Sequence, residues 1–237
     1  MRITTLLTGR IQTCADRESL FDLTLDLMRH VTEYDRVSIY KFDQDFNGEV
    51  LAERRTSSIE SILGLRFPHW DIPSLARDIM KVLPLRLIES ADQEQVPLLA
   101  ASADLAPLNM TRGALRGVSG IHLQYLRSAE FTSTMTLSIV LQDQLWGMIS
   151  FHHRQPRRPS PRLREILKGF LPIFCTKFLA LQQVEMLERV RSMDAAVLET
   201  SKKNARIDTM LLTLVQPLFA IMQARGVVAV GEADIIQ

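Results

Sequence analysis

One segment of the sequence alternates polar and apolar residues, and it constrains the fold more than any other. Over residues 134–141, threonine and serine alternate with methionine, leucine and isoleucine. Such alternation is typical of a β-strand with two unlike faces, because successive side chains point to opposite sides of a sheet. Gln142 and Asp143 supply a tight turn, and residues 145–152 follow as a partner strand. The sequence therefore predicts an antiparallel hairpin.

Helical and strand patterns also precede this hairpin, and together they predict a mixed α+β architecture. Residues 16–28 place leucines on one face behind Asp16 as a cap, which indicates an amphipathic helix. Residues 36–42 and 49–53 predict two strands around a turn at Asn47-Gly48.

Composition and charge exclude several classes of function. A net charge of +1 gives no electrostatic reason to expect nucleic-acid binding. The two cysteines, Cys14 and Cys175, cannot build a disulfide framework or a thiolate zinc site, and they fit a reducing cytoplasm. The most apolar window, residues 210–222, is too short to span a bilayer, and the sequence after Met1 does not resemble a signal peptide. We therefore expect a cytoplasmic protein without a membrane partner.

A long helical pattern follows a proline-rich breaker at residues 154–161. Apolar residues recur at helical spacing over residues 162–203, and Pro172 is expected to kink the helix. The part from Gln182 onward exceeds what one small domain can bury, so we predict a protruding helix that pairs with a second copy of the chain. The alternative is a single helix lying on its own sheet.

The end of the chain predicts the beginning of another domain. Residues 207–222 have a helical pattern and residues 226–230 a strand pattern, and one strand needs partners. The sequence therefore divides into a domain over 1–182, a protruding connecting helix over 183–205, and a truncated domain over 206–237.

Four segments, in this order, resemble the GAF domain of phytochromes and bacteriophytochromes. They are YDRVSIYKFD at 34–43, GEVLAE at 48–53, FPHWDIP at 67–73 and LWGMISFHH at 145–153. The resemblance covers roughly residues 20–182, and residues 207–237 are weakly similar to the opening of the PHY domain that follows GAF in that family. It implies an α+β fold with a central antiparallel sheet of about six strands, helices on its faces, and a long connecting helix.

The resemblance also implies a pocket for a linear tetrapyrrole, or bilin. Asp71, followed by Ile72 and Pro73, is expected beside the three protonated pyrrole nitrogens, with its main-chain carbonyl accepting from them. A buried cation needs such acceptors. His122 is expected as a second neighbour of the rings and a proton partner, and His152 as a hydrogen-bond partner of the terminal D-ring carbonyl.

Arginine, hydroxyl and aromatic side chains complete the implied pocket. Arg86 and Arg116 are expected to clamp the propionates, since a planar guanidinium pairs with a carboxylate through two bonds. The hydroxyl groups expected near the pigment are those of Ser119, Thr134 and Thr136, and the aromatic cage of the D ring is Tyr40, Phe67 and Tyr125. Taken singly, these residues have plainer interpretations: core aromatics, solvent-facing threonines, a cap of a turn or of a helix start at Asp71, and a surface or structural ion pair at Arg86.

The covalent attachment of the pigment is where the chain departs from the family pattern. Phytochromes attach bilin through a cysteine directly before the GAF histidine, or upstream of an N-terminal PAS domain. Ile121 takes the first place, too few residues precede the GAF helix for a PAS domain, and Cys14 matches neither position. Cys175 is expected to be a small buried residue. Trp70 replaces a small residue and either fills part of the pocket or stacks on pigment.

Two classes of function follow. The first is a light sensor that binds biliverdin or a related bilin noncovalently. Light would isomerise the bond between rings C and D, change hydrogen bonds at His152 and Tyr125, and act through the long helix on a partner that the sequence does not identify. The second is a pigment-free GAF scaffold for dimerisation or regulation.

A third class, cyclic-nucleotide binding, is weaker, because the paired arginines and the Asp-Ile-Pro segment indicate a bilin. We expect no enzymatic activity, since no nucleophile or metal set accompanies Asp71 and His122. His152 and His153 are neighbours on a strand and face opposite sides, so they cannot share one metal ion.

Overall fold

The computed structural model describes residues 9–202, except 95, 101, 103, 107, 114 and 115, together with residues 229–230 and 235–236. The chain divides into two units, Met1–Lys177 and Phe178–Gln237. The first unit contains the six-stranded antiparallel sheet and α+β fold that the sequence predicts.

The sheet has the strand order β3-β2-β1-β6-β5-β4. Its strands are β1 (Arg36–Phe42), β2 (Gly48–Arg55), β3 (Arg66–Phe67), β4 (Leu85–Ile88), β5 (Ser133–Leu141) and β6 (Gln144–His153). The helices are α1 (Arg17–Thr32), α2 (Ser74–Val82), α3 (Gly120–Ser128) and α4 (Pro161–Lys202), and a 3-10 turn spans His69–Asp71.

The hairpin of β5 and β6 confirms the prediction from the alternating segment. Leu141 pairs with Gln144, and the two residues between them have positive φ angles of 49° and 61°. Two consecutive left-handed residues make the type I′ turn that matches the twist of a hairpin.

The turn predicted at Asn47-Gly48 is wrong. Phe42 pairs directly with Gly48, so Gly48 belongs to β2 and residues 43–47 form the connection. Glycine is required there because the ring of Tyr40 lies against the backbone: a Cβ at position 48 would stand 1.6 Å from Cζ of Tyr40. A packing requirement, not a turn, therefore explains this glycine.

One face of the sheet is apolar and fully buried. Its side chains are Val37, Ile39, Met135, Leu137, Ile149 and Phe151. Helix α1 lies along β1 and β2, and the ring of Phe21 on α1 contacts Trp146 of β6 and Phe174 of α4. Helices α1 and α4 therefore cover this face, and Asp16 caps α1 as predicted, with its carboxylate accepting from the main chain of Ser19.

Helix α4 is a single helix of 42 residues with Pro172 inside it. Its part Pro161–Glu199 is long and apolar enough to cross a membrane by length and composition, a test that the core helix of a soluble protein also passes. Leu167, Phe170 and Phe174 are buried in the first unit, as in such a core helix. The kink at Pro172 and the absence of a membrane partner stay predictions.

Most of the segment predicted to open a second domain lies outside the described residues, including the helix predicted at 207–222. Within the strand predicted at 226–230, β7 (Ala229–Val230) pairs antiparallel with β8 (Ile235–Ile236).

Candidate functional site

The second face of the sheet carries a polar patch at its centre. Residues opposite each other on neighbouring strands point to the same face. The register sets Arg36, His152 and Thr134 in one row, and Ser38, Ser150, Thr136 and Arg86 in the next. We call these seven residues the polar patch. Thr134 is 5% exposed and Thr136 half-buried, so neither is an ordinary solvent-facing threonine.

Two apolar clusters flank the polar patch. The first contains Tyr40, Phe42, Val50, Leu145 and Met148, packed against Phe67, Ile72 and Met80 among others. The second contains Ile59, Ile88, Ala91, Leu123, Leu126 and Phe131. Because α2 contributes Met80 and α3 contributes Leu123 and Leu126, both helices lie on this face. The polar patch therefore lies on the sheet between two clusters anchored by helices.

The predicted aromatic residues and Asp71 come together near the first cluster. The rings of Tyr40 and Phe67 are 5.9 Å apart, and Tyr125 stacks on His122 with centroids 6.1 Å apart. Burial raises the pKa of Tyr40 to about 12, with a second contribution from the negative charge of Asp71 and a third from Tyr125. The pKa of Tyr125 is likewise raised by burial first and by Asp71 second.

Asp71 ends the 3-10 turn and leads through Ile72 into α2. Its interpretation as a helix cap does not hold, because the N-cap position of α2 is Pro73 and no side chain caps that helix. The side chain of Asp71 is exposed, whereas Ile72 packs into the first cluster. Asp71 thus lies at the surface, near enough to Tyr40 and Tyr125 for its charge to act on both hydroxyl groups.

Helix α3 begins at Gly120, directly after Ser119 at the N-cap position. It presents Ile121 and His122 in its first turn. The hydroxyl of Ser119 makes no capping hydrogen bond, and Ile121 is 81% exposed. The pKa of His122 is lowered by desolvation first and by the positive charge of Arg86 second. The side chain of His122 is thus exposed to solvent on one side and desolvated by protein on the other, which is typical of the wall of a cleft.

Arg116 lies close to Arg86 of the polar patch. One guanidinium nitrogen of Arg86 donates to the main-chain carbonyls of Arg116 and Gly117, at 2.9 and 3.2 Å. Burial first, and the positive charge of Arg116 second, lower the pKa of Arg86 to about 10. Two neighbouring, partly desolvated guanidinium groups favour an anion such as a carboxylate.

His152 carries an unpaired buried nitrogen. Its Nδ1 is buried and makes no hydrogen bond with any described residue, and its ring lies 5.0 Å from that of Phe131. Burial, then the charges of Arg36 and His122, lower the pKa of His152 to about 3, so the imidazole is neutral at pH 7. Such a nitrogen is suited to a hydrogen bond with a bound molecule.

His153 points to the other side of the sheet. Its Nδ1 lies 2.8 Å from a carboxylate oxygen of Asp35, and its ring packs near Tyr34. The two neighbouring histidines thus have different surroundings. Among the described residues, no group of three histidine, cysteine, aspartate or glutamate side chains could hold a metal ion.

A buried ion pair beside His152 escaped the sequence analysis. Nε of Arg36 lies 3.0 Å from Glu53, the two side chains are 8% and 4% exposed, and the guanidinium lies 5.0 Å over the ring of Phe131. The sequence contains no clear signal for it, because Arg36 and Glu53 are 17 residues apart and each stands beside other charged residues. This pair fixes a positive charge near the imidazole.

The two cysteines lie away from the polar patch. Cys14 is buried before α1, and Cys175 is half-buried in α4 rather than fully buried as expected. Burial raises the pKa of the Cys175 thiol to about 11. Helices α1 and α4 cover the opposite face of the sheet.

Comparison with known proteins identifies the class. The model of the GAF domain matches residues 16–171, and the chain belongs to the GAF domain family. It is 33% identical over 214 residues to a bacteriophytochrome of Pseudomonas aeruginosa, covering 88% of this chain and 29% of that protein. It is 35% identical over 150 residues to cyanobacterial phytochrome B of Nostoc sp., covering 62% of this chain and 20% of that protein.

Solved structures agree with this placement. The chromophore-binding domain of an unusual bacteriophytochrome from R. palustris superposes with a TM-score of 0.71 at 30% identity, covering 78% of this chain and 62% of that one. The chromophore-binding domain of Stigmatella aurantiaca phytochrome P1 gives a TM-score of 0.71 at 30% identity, covering 74% and 58%. Within the GAF family, the chain is therefore a GAF domain of the phytochrome type.

Proposed function

We propose that this GAF domain is a photosensory module that binds a linear tetrapyrrole of the biliverdin type. The observation that carries the proposal is the polar patch, in which Thr134, Thr136 and a neutral His152 lie on a sheet face otherwise flanked by apolar clusters. Ordinary cores avoid such groups unless they are paired. A ligand with both polar and apolar parts explains why they are retained.

The residues of the site match the chemistry of a bilin. Such a pigment has two propionates, a row of pyrrole nitrogens, a terminal ring carbonyl and a long apolar body. The adjacent guanidinium groups of Arg86 and Arg116 suit the propionates. The unpaired Nδ1 of His152 suits a ring carbonyl, and the aromatic pair of Tyr40 and Phe67 suits an apolar ring.

The remaining expected residues keep the roles that the family resemblance implies. The Asp71-Ile72-Pro73 segment would receive the pyrrole nitrogens, with His122 as their other neighbour. Ser119 and Tyr125 would complete the wall on the side of α3.

The pigment is held without a covalent bond in this proposal. Ile121 stands directly before His122, where a thiol would be needed, and an isoleucine side chain has no nucleophile. Cys14 and Cys175 belong to the side of the sheet covered by α1 and α4. The pigment would therefore be released on unfolding.

Signal transmission would run from β6 into α4. His152 is the penultimate residue of β6, and residues 154–160 join that strand to the long helix. Isomerisation at the D ring would change the hydrogen bonds at His152 and Tyr125. The later half of α4 exposes Val184 and Leu187, and exposed apolar side chains of this kind favour pairing with the same helix of a second copy of the chain. We expect this dimer to be cytoplasmic.

The test is to express the chain with a biliverdin source and to record its absorption before and after denaturation. A red band that shifts on illumination, with pigment separating from the denatured chain, is expected. His122→Ala and Asp71→Ala should change the band, whereas His30→Ala, on the exposed side of α1, should not. No red absorbance with excess biliverdin would contradict the proposal and leave the pigment-free scaffold.

A further inference from the structure

The connection between β1 and β2, residues 43–47, reaches over to the segment that contains Asp71. Oδ1 of Asn47 accepts a hydrogen bond from the main-chain N–H of His69, at 3.1 Å. Asn47 is itself fixed, because its main-chain N–H and its side-chain amide both donate to the carboxylate of Asp43. These hydrogen bonds from Asn47 hold the pKa of Asp43 below its usual value. The acceptor oxygen of Asn47 is thus held toward His69.

A second link runs from α2 to the same connection. The guanidinium of Arg77 lies 4.3 Å over the ring of Phe46, which has a left-handed φ of 61°. One nitrogen of this guanidinium donates to the main-chain carbonyls of both His69 and Ile72. Arg77 therefore joins the two ends of the segment around Asp71 while it packs on the connection.

The hydrogen bonds of this segment leave one stretch of main chain unused. Over residues 68–73, the carbonyl of Pro68 accepts from Asp71, that of Pro73 accepts from the main chain of Arg77, and those of His69 and Ile72 accept from the Arg77 side chain. In the described part of the chain, no group donates to the carbonyls of Trp70 and Asp71. Because Trp70 and Asp71 are exposed, these two carbonyls are accessible from outside the protein and can accept from an external donor.

We propose that Asn47 and Arg77 are positioning residues that hold the main chain of Asp71 toward the pyrrole nitrogens of the pigment. This inference rests on the proposed bilin binding. Neither residue touches the pigment; both fix the direction of the carbonyl that does. A fixed carbonyl dipole stabilises the protonated pigment, so a loosened segment would favour the neutral form.

The variants that test this inference remove one link at a time. Asn47→Ala deletes the acceptor for His69, and Arg77→Met deletes both donated bonds while it keeps an unbranched stem over Phe46. Arg77→Lys is the conservative variant, expected to give an intermediate result because an ammonium lacks the planar fork. Arg54→Met is the matched control, since Arg54 pairs with aspartates of α1.

The first measurement needs no pigment. Trp70 and Trp146 are the two tryptophans of the chain, so Trp146→Phe leaves Trp70, inside the segment, as the sole reporter. Its fluorescence anisotropy should fall in Asn47→Ala and in Arg77→Met, and stay unchanged in Arg54→Met. Unchanged anisotropy in both test variants would overturn the claim that these residues hold the segment.

The second measurement uses the biliverdin-loaded protein. Titration of the red band should show the pKa of the bound pigment lowered by roughly one unit or more in both test variants. A loosened segment with an unchanged pigment pKa would mean that the two residues serve folding alone. If the wild type gives no red band, the proposed function fails together with the pigment half of this inference, and the anisotropy still decides whether Asn47 and Arg77 hold the segment.

Discussion

Acidification is expected to destabilise this GAF domain through His152. The pKa of His152 is lowered from 6.5 to about 3, by burial first and then by Arg36 and His122. The unfolded chain binds a proton near pH 6.5, whereas the folded chain does not bind it until near pH 3. The stability that neutral His152 provides is therefore present at pH 7 and is lost as the pH falls through this window.

The magnitude follows from the width of that window. Each pH unit between the two pKa values costs about 1.4 kcal/mol in the free energy of unfolding. From pH 7 to pH 5, proton uptake by His152 in the unfolded chain lowers the free energy of unfolding by about 2 kcal/mol.

Urea unfolding of the pigment-free protein at pH 7 and pH 5 measures this loss. Comparing the wild type with His152→Asn isolates one residue, because every other titrating group is present in both proteins. The wild type should lose about 2 kcal/mol more than the variant between the two pH values. His30→Asn, at an exposed position of α1, should behave as the wild type does. An equal loss in the wild type and in His152→Asn would refute the reasoning.

Substitutions at four positions test the packing around the polar patch by urea unfolding. Ser38 and Ser150 share a buried 2.7 Å hydrogen bond, so either serine changed to alanine should cost about 1–3 kcal/mol and the double change less than the sum; additive losses would contradict this. Gly48→Ala forces the Tyr40 ring away and should cost about 1–3 kcal/mol, and no loss would mean that the ring moves freely. Glu53→Gln leaves its buried arginine partner without a counter-charge and should cost about 3–5 kcal/mol, whereas a loss under about 1 kcal/mol would match an exposed pair.

The parts of the fold that the sequence predicts are those determined by local pattern. The hairpin of β5 and β6 follows from alternation and a two-residue turn, and α1 from its cap and apolar stripe. The prediction of a turn at Asn47-Gly48 was wrong because this pair is common in turns, whereas Gly48 is needed here to make room for the Tyr40 ring. Local pattern cannot report a packing requirement of this kind.

The short elements at the site were beyond pattern reasoning. Helices α2 and α3 have nine residues each and β3 has two, too few for a clear period, and tertiary packing holds them in place. Asp71, in the 3-10 turn before α2, and His122, on α3, were expected through family resemblance alone. The pairing of Arg36 with Glu53, and the link from Asn47 to His69, join residues distant in sequence, so they required the structure.

The measurement that tests the central claim most directly is equilibrium binding of biliverdin to the purified, pigment-free protein, followed by red absorbance. We expect a saturable band with one pigment per chain. Replacing Arg86 by glutamine should weaken binding at least about tenfold, since a charge-assisted hydrogen bond contributes about 1.5–3 kcal/mol. The same replacement of Arg54, on the far side of β2, should leave binding unchanged. Absence of a saturable red band, or equal affinity in all three proteins, would contradict a bilin bound at the polar patch.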